Sequence, residues 1–361
     1  MSCVPHGLHK LGLERRIMAG RKSQRAATAE DVARLAGVSR SAVSRSFTPG
    51  ASVAPATREA VLAAAKALGY TVNPLASRLS GGRSHMIGLV VSDTDNPYRA
   101  AFLTQLSRDL VAAGYRTFLL PSVPGEDARQ LIDMMLHYSV AGAVVTGDAA
   151  PAEIAAHCQR HDLPLVLVNK PPSGGAVSYV QMDHEGAALL AAQAFASHGY
   201  RNVGLIGQKR RSYSTETRLE AFRNHAVALG VTVVGQWDGE EANYEGGKFA
   251  AAAFLSAHAT TGAISVQGLY CANDYMALGV IDGLRAGGLS LPSDMGIVGC
   301  DDIGPAGWSS FDLTTTRQDV VALSAAVVAA LGERIATPDA ETISLTLPTK
   351  LINRGSLPYL G

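Results

Sequence analysis

From residue 86 to the C-terminus, short apolar runs alternate with longer stretches of helical periodicity, and no other feature narrows the fold as much. The apolar runs lie at 87–91, 117–120, 143–145 and 165–168, with helical stretches near 98–113, 127–138 and 151–160. A second series has runs at 179–182, 203–206, 231–234, 269–272 and 297–298, separated by helices near 185–198, 215–229, 245–257 and 275–286. Strands spaced by whole helices pair parallel through crossovers rather than as hairpins. Two such series predict an α/β fold with two doubly wound parallel-sheet subdomains. The tail from 313 to 351 adds a helix near 319–335 and further strands, and is expected to cross back between the subdomains.

The stretch before this core has a different texture. Residues 28–48, TAEDVARLAGVSRSAVSRSFT, predict two short helices meeting at a corner. Thr28 and Asp31 have capping-box spacing. Val32, Leu35 and Ala36 recur on one helical face. Gly37 supplies the left-handed turn that ends the first helix, and Val38 is expected to plug the corner. Ser39 caps a second helix in which Val43 points inward while Arg40, Ser41, Ser44 and Arg45 point out. Arginine bonds a guanine edge in two places and serine serves base or phosphate, so this face suits a DNA major groove. An ordinary helix pair with solvated arginines has the same local pattern. A third helix opens at Pro55, buries Val61, Leu62, Ala65 and Leu68, and stops at Gly69.

Charge separates the two parts. The 361-residue chain has zero formal net charge. Between Arg15 and Arg83, however, twelve Lys or Arg face three acids (Glu30, Asp31 and Glu59), a surplus of nine. A basic head on an acidic body is the balance expected of a nucleic-acid-binding domain joined to a separate sensor. At 47% hydrophobic and 17% charged residues the chain can bury a substantial core. Its four cysteines, Cys3, Cys158, Cys271 and Cys300, are scattered, so neither a disulfide framework nor a zinc site is expected. No metal role is expected for the histidines, and no cofactor is indicated. No run reaches the ~18 apolar residues that span a bilayer. The start lacks an apolar signal core, whether translation begins at Met1 or Met18, and a cytoplasmic location is expected.

The expected organisation is a flexible basic arm over 1–27, a helix-turn-helix unit over 28–72, a short hinge helix over 73–82, and a core over 83–361. The hinge, opened by Asn73-Pro74 and closed by Gly81-Gly82, is too short to fold well unaided. Its Leu79 reads either as an apolar wedge for the minor groove or as an ordinary linker leucine.

These motifs, taken in order, resemble the LacI/GalR family of bacterial transcriptional regulators. The resemblance rests on EDVARLAGVSRSAVSRSF (30–47) and the hinge pattern Gly69, Tyr70, Asn73, Pro74, Ala76 and Leu79. It continues through IGLVV with DNPY (87–98), HGYRNVGLIG (198–207), TRLEAF (217–222), CANDYMALG (271–279), VGCDDI (298–303) and LTTTRQD (313–319). It implies a helix-turn-helix headpiece, a hinge helix and a periplasmic-binding-protein-like core. It also implies a homodimer or dimer of dimers whose affinity for a near-palindromic operator is set by a small effector, typically a sugar or sugar derivative. Arg40, Ser41 and Arg45 then fall at base-reading positions and Leu79 at the minor-groove wedge. Thr28, Ser39, Ser44, Asn73 and Ala76 complete the expected DNA-binding set. No C-terminal leucine heptad is present to build a helical tetramerisation tail.

For the effector, the resemblance singles out Tyr98 as a packing aromatic and Arg218, Asn273 and Asp301 as polar partners. Ser214 faces the ligand, and Asn96 lies beside Tyr98. The strand pattern agrees in part. Asn96 and Tyr98 follow the run at 87–91, Asn273 follows 269–272, and Asp301 follows 297–298, where ligands of doubly wound sheets sit. Singly, Arg218 reads equally as a surface ion pair, Asp301 as a strand-end cap and Tyr98 as a core aromatic. Several positions depart from the family pattern: Ser77-Arg78 in the hinge, Asn169-Lys170, Cys300 and Arg99. A lysine and an arginine at the cleft mouth would favour an anionic ligand, such as a sugar acid or sugar phosphate.

Two other function classes compete. A solute-binding protein for sugar transport would use the same core, but would not need the basic headpiece. An enzyme is not indicated, because no G-x-G-x-x-G follows the first strand and no P-loop or G-x-S-x-G occurs. Asp183 and His184 suggest an acid/base pair, but neighbours at a strand-to-helix turn point apart, so a structural role is expected for them.

Overall fold

The computed structural model describes residues 27–48, 50–71, 84–122, 127–146, 151–171, 177–210, 212–259 and 265–360. The chain divides into two compact units between Arg83 and Ser84. The expected hinge positions Asn73, Ala76, Ser77, Arg78 and Leu79 and the arm over 1–26 lie outside the described residues.

The first unit contains three helices: α1 (Ala29–Ala36), α2 (Arg40–Phe47) and α3 (Pro55–Leu68). Thr28 and Asp31 form the capping box, and Gly37 ends α1 at φ 66°. The core is Val32, Ala33, Val43, Val61, Ala64 and Ala65, with Val38 packed against it. Three expected core leucines are instead exposed: Leu35 at 56%, Leu62 at 46% and Leu68 at 38%. Alanines fill the interior in their place, which lets short helices approach closely and leaves the longer side chains flanking the contact.

The second unit holds two six-stranded sheets. In the first, β1 (Met86–Val91), β2 (Arg116–Pro121), β3 (Gly142–Val145), β4 (Leu165–Val168) and β5 (Ser178–Met182) are joined by β11 (Ser344–Leu347). Their order is β11-β5-β4-β3-β1-β2, with every pairing parallel. The second sheet runs β12-β10-β9-β8-β6-β7. It is built from β6 (Asn202–Gln208), β7 (Thr232–Gly239), β8 (Gly268–Cys271), β9 (Gly296–Asp301), β10 (Thr314–Arg317) and β12 (Lys350–Ile352). Only β12 pairs antiparallel.

Side chains alternate across each strand, so helices must cover both faces. Ile87, Leu89 and Val91 meet Phe102, Leu106 and Leu110 of α4 (Pro97–Ala112) and Leu323 and Val327 of α11 (Val320–Ala336). Val90 faces the other way, toward Leu131 and Met135 of α5 (Ala128–His137) and Ile154 of α6 (Pro151–Arg160). On the second sheet, α7 (His184–Ser197) and α8 (Tyr213–Ala228) cover one face through Phe195 and Phe222. The opposite face meets Phe254 of α9 (Tyr244–Ala259) and Met276 and Leu284 of α10 (Asp274–Ala286). Helices α9 and α10 touch backbone to backbone: a Cβ on Gly279 would lie 1.9 Å from the Tyr244 carbonyl oxygen, so only glycine fits there.

Two expectations are corrected. The run at 179–182 is β5 and pairs with β4 in the first sheet, so it does not head the second series. The strand expected at 231–234 is the longer β7, whose pairing with β6 slips register at Val203/Gly204. The tail does cross back: α11 and β11 join the first subdomain, and β12 returns to the second. No described helix is long and apolar enough to cross a membrane. One histidine pair overlooked in the sequence, His157 and His161, is spaced four apart and stacks at 5.0 Å. Among the described residues no cluster of three or more metal-ligating side chains forms.

Candidate functional site

The first candidate surface is α2. Ser39 caps it by accepting from the Ala42 amide at 3.2 Å, and Val43 anchors its inner side at 1% exposure. Arg40, Ser41, Ser44 and Arg45 are all exposed. At ~100° per residue these four occupy roughly 140° of arc, opposite Val43. The hydroxyls of Thr28 and Ser39 are engaged in capping, so either residue's further contacts would come through what remains of those groups. Arg58, which the sequence reading did not single out, ties α3 to the α2–α3 loop. Its guanidinium donates to the Ser46 carbonyl at 2.9 Å and the Ala51 carbonyl at 3.0 Å.

The second candidate is a cavity of about 140 Å³ in the core, lined from both subdomains. All six expected residues, Asn96, Tyr98, Ser214, Arg218, Asn273 and Asp301, lie on its wall. Asn96 caps α4, accepting from the amides of Tyr98 and Arg99 at 3.0 and 3.2 Å. Asn273 caps α10, accepting from the Met276 amide at 2.8 Å and donating to the Ala242 carbonyl at 3.2 Å. Capping thus fixes both asparagines at carboxyl ends of strands, where the fold leaves its crevice. Ser214 Oγ reaches the Asn169 carbonyl at 3.4 Å and bridges the subdomains. The Tyr98 ring, from the first subdomain, packs against the core of the second.

Arg218 and Asp301 form the floor. Their side chains are 5% and 6% exposed and stand 3.3 Å apart. Arg218 also donates to Cys300 Sγ at 3.0 Å, and Gln318 donates to Asp301. Burial pushes the Asp301 carboxyl above the usual carboxylate range, against the opposing pull of Arg218. Asp301 has φ 127° and Asp302 φ 57°, a backbone that carboxylate residues rarely adopt. It is held by Arg317 Nε and Arg354 Nη2, each donating to Asp302 at 2.6 Å. Beneath them Asp274 is fully buried, accepting from Ile303 N at 3.0 Å and Thr315 Oγ1 at 2.6 Å.

The two basic residues that depart from the family pattern, Arg99 and Lys170, both line the cavity. Arg99 pairs with Asp93 at 3.0 Å and donates to Ser92 Oγ at 2.7 Å. Lys170 is 7% exposed and so sits in the wall, not at the mouth.

Gln208, Gln318 and His184 are among the cavity residues that went unassigned in the sequence. Gln208 ends β6 and Gln318 follows β10, so the strand-end rule that found Asn273 applied to both. His184 was set aside as structural. Asp183 does point away from it, capping α7 by accepting from the Gly186 amide at 2.8 Å. His184 itself lines the cavity.

A helix-turn-helix unit followed by paired parallel sheets around a polar cleft defines the class of ligand-responsive DNA-binding regulators. Residues 28–73 match the family described as bacterial regulatory proteins, lacI family, and 192–357 match a periplasmic binding protein-like domain. The HTH-type transcriptional regulator reg1 of Streptomyces lividans is 31% identical over 339 residues, covering 90% of this chain and 95% of that protein. The chain belongs to the LacI family of bacterial transcriptional regulators. Among solved structures, the transcriptional regulator CelR–cellobiose complex matches at TM-score 0.67 and 27% identity, over 91% of this chain and 99% of that one. The lac repressor dimer bound to operator and the anti-inducer ONPF matches at TM-score 0.80 and 22% identity, over 92% and 100%.

Proposed function

We propose that the exposed face of α2 reads base edges and that the core cleft binds a polyhydroxyl effector which sets operator affinity. Residues 28–72 then serve as the DNA-binding unit and 83–361 as the effector-binding and dimerisation core, joined through 73–82. The protein acts in the cytoplasm as a repressor, and a homodimer places two reading helices on the half-sites of a near-palindromic operator. Arg40 and Arg45 contact bases, Ser41 and Ser44 contact bases or phosphates, and Thr28 and Ser39 contact phosphates beside their capping roles. Asn73, Ala76 and Leu79 contribute from the hinge segment.

The observation that carries the cleft reading is convergence. Six residues spread from 96 to 301 line one cavity, with an arginine–carboxylate pair, amides and an aromatic ring, the groups that bind a sugar. The similarity to a regulator solved with cellobiose supports a sugar as the effector class. Selection of bound DNA from a random pool by the full-length protein tests the DNA reading. Two inverted half-sites are expected, and enrichment of no sequence would overturn it.

A further inference from the structure

We propose that His184 is the specificity residue of the cleft. Its neutral imidazole accepts one hydrogen bond and donates another to hydroxyls of an uncharged polyol, so the effector is a neutral sugar or sugar alcohol. This deepens, and rests on, the reading of the cleft as the effector site.

Three observations carry it. First, His184 is 5% exposed and lines the cavity, yet neither ring nitrogen has a hydrogen-bond partner. A buried imidazole with both nitrogens unmatched costs free energy unless something enters the cavity to meet them. Second, the unmatched groups nearby are neutral: Gln208 Oε1 and Gln318 Oε1 line the same cavity without partners. Hydroxyls serve such a set, because each both donates and accepts. Third, the wall offers no charge surplus. Its bases Arg99, Lys170, Arg210 and Arg218 equal in number its acids Asp93, Asp95, Glu241 and Asp301. Arg218 and Arg99 are already paired with carboxylates. Asp93, Asp95 and Glu241 are exposed, as is Arg210.

The protonation state agrees. Burial, then Arg218 and Lys170, hold the His184 imidazole well below its ordinary range. It also opens α7, where the amide ends of the helix disfavour a cation. At neutral pH the ring therefore keeps one N–H and one lone pair.

The test is calorimetric titration of the full-length protein with paired probes. The uncharged set is glucose, galactose, ribose, cellobiose and mannitol, and the charged set is gluconate, galacturonate, ribose 5-phosphate and glucose 6-phosphate. An uncharged probe should bind, and its charged counterpart should bind about 100-fold more weakly or not at all. His184→Leu should weaken the best probe about tenfold or more. His184→Gln, which keeps a donor and an acceptor, should restore most of the loss. The inference is overturned by preferred binding of a charged probe, by no uncharged probe binding, or by full affinity in His184→Leu. The underlying reading fails separately. Binding that survives Arg218→Met with Asp301→Asn lies outside the cleft, whereas binding lost there but intact in His184→Leu sinks only the role of His184.

Discussion

The α2 face and the core cleft solve opposite problems with similar residues. On α2 the arginines are exposed, and the four outward residues lie within six positions of one another. In the cleft the arginine is buried and paired, and its partner stands more than eighty positions away. DNA is a large, external, charged surface, so its readers must project and keep their charge available. A small effector is enclosed, so its readers are desolvated in advance and held by one another. Single changes should therefore act on different quantities in the two regions: base preference at α2, and core stability together with effector response in the cleft.

The strongest test of that contrast is Arg218→Ala. Removing one member of a buried ion pair strands the other, at a cost of about 3–5 kcal/mol. Thermal unfolding of the core should move down accordingly, and effector response should disappear. Arg218→Met with Asp301→Asn removes both charges and should recover much of the stability but none of the response. If the double change is as unstable as Arg218→Ala, the cost lies in packing rather than in a stranded carboxylate.

Arg40→Ala and Arg45→Ala come next. Each should cost about 1–3 kcal/mol of operator affinity, concentrated at one base position per half-site, with little change in thermal stability. Binding measured against a set of single-base operator variants checks this. Uniform weakening across the set would make the arginine a phosphate contact.

Asp274 links stability to pH. Burial raises its carboxyl to about 7. A raised folded-state pKa means the fold binds more protons than the unfolded chain between about pH 4 and 7. Its contribution is therefore fully present below about pH 4 and is lost progressively as pH rises from there to about 7. Replacing it by Asn keeps an acceptor for the Ile303 amide and removes the ionisation. The difference in melting temperature between Asp274→Asn and wild type should grow in the variant's favour from about pH 5 to 7 and level off above it. A difference that stays flat would mean that Asp274 does not titrate in this range.

The same contrast explains what could be read from the chain. The helix-turn-helix unit is local: its caps, its glycine corner and its outward residues all sit within one short stretch. Even there Leu35, Leu62 and Leu68 misled, because periodicity marks the apolar side of a helix but not how closely its neighbour approaches. The alternation of strands and helices fixed the α/β class, yet it could not say which sheet receives 179–182, since that depends on pairing with β4. In the cleft, strand ends located Asn96, Tyr98, Asn273 and Asp301. Gln208, Gln318 and His184 occupy equivalent ends. Only side-chain direction separates such residues from bystanders, and direction is set by packing between segments far apart in sequence.

The smallest effect is expected at Thr28, where the contrast can be sharpened within one residue. Its hydroxyl accepts from the Asp31 amide at 3.3 Å and donates to the Asp31 carboxylate at 2.7 Å, while its own amide donates to that carboxylate at 3.0 Å. Thr28→Ala removes the cap, at a cost of about 1 kcal/mol to an eight-residue helix. Hydrogen exchange of the α1 amides in the full-length protein should quicken, and operator affinity should fall about fivefold or less with base preference unchanged. Thr28→Ser retains the cap and should restore slow exchange. If exchange is restored but affinity is not, the methyl group that serine lacks would be a DNA contact, and Thr28 would belong with Arg40 and not only with the scaffold beneath it.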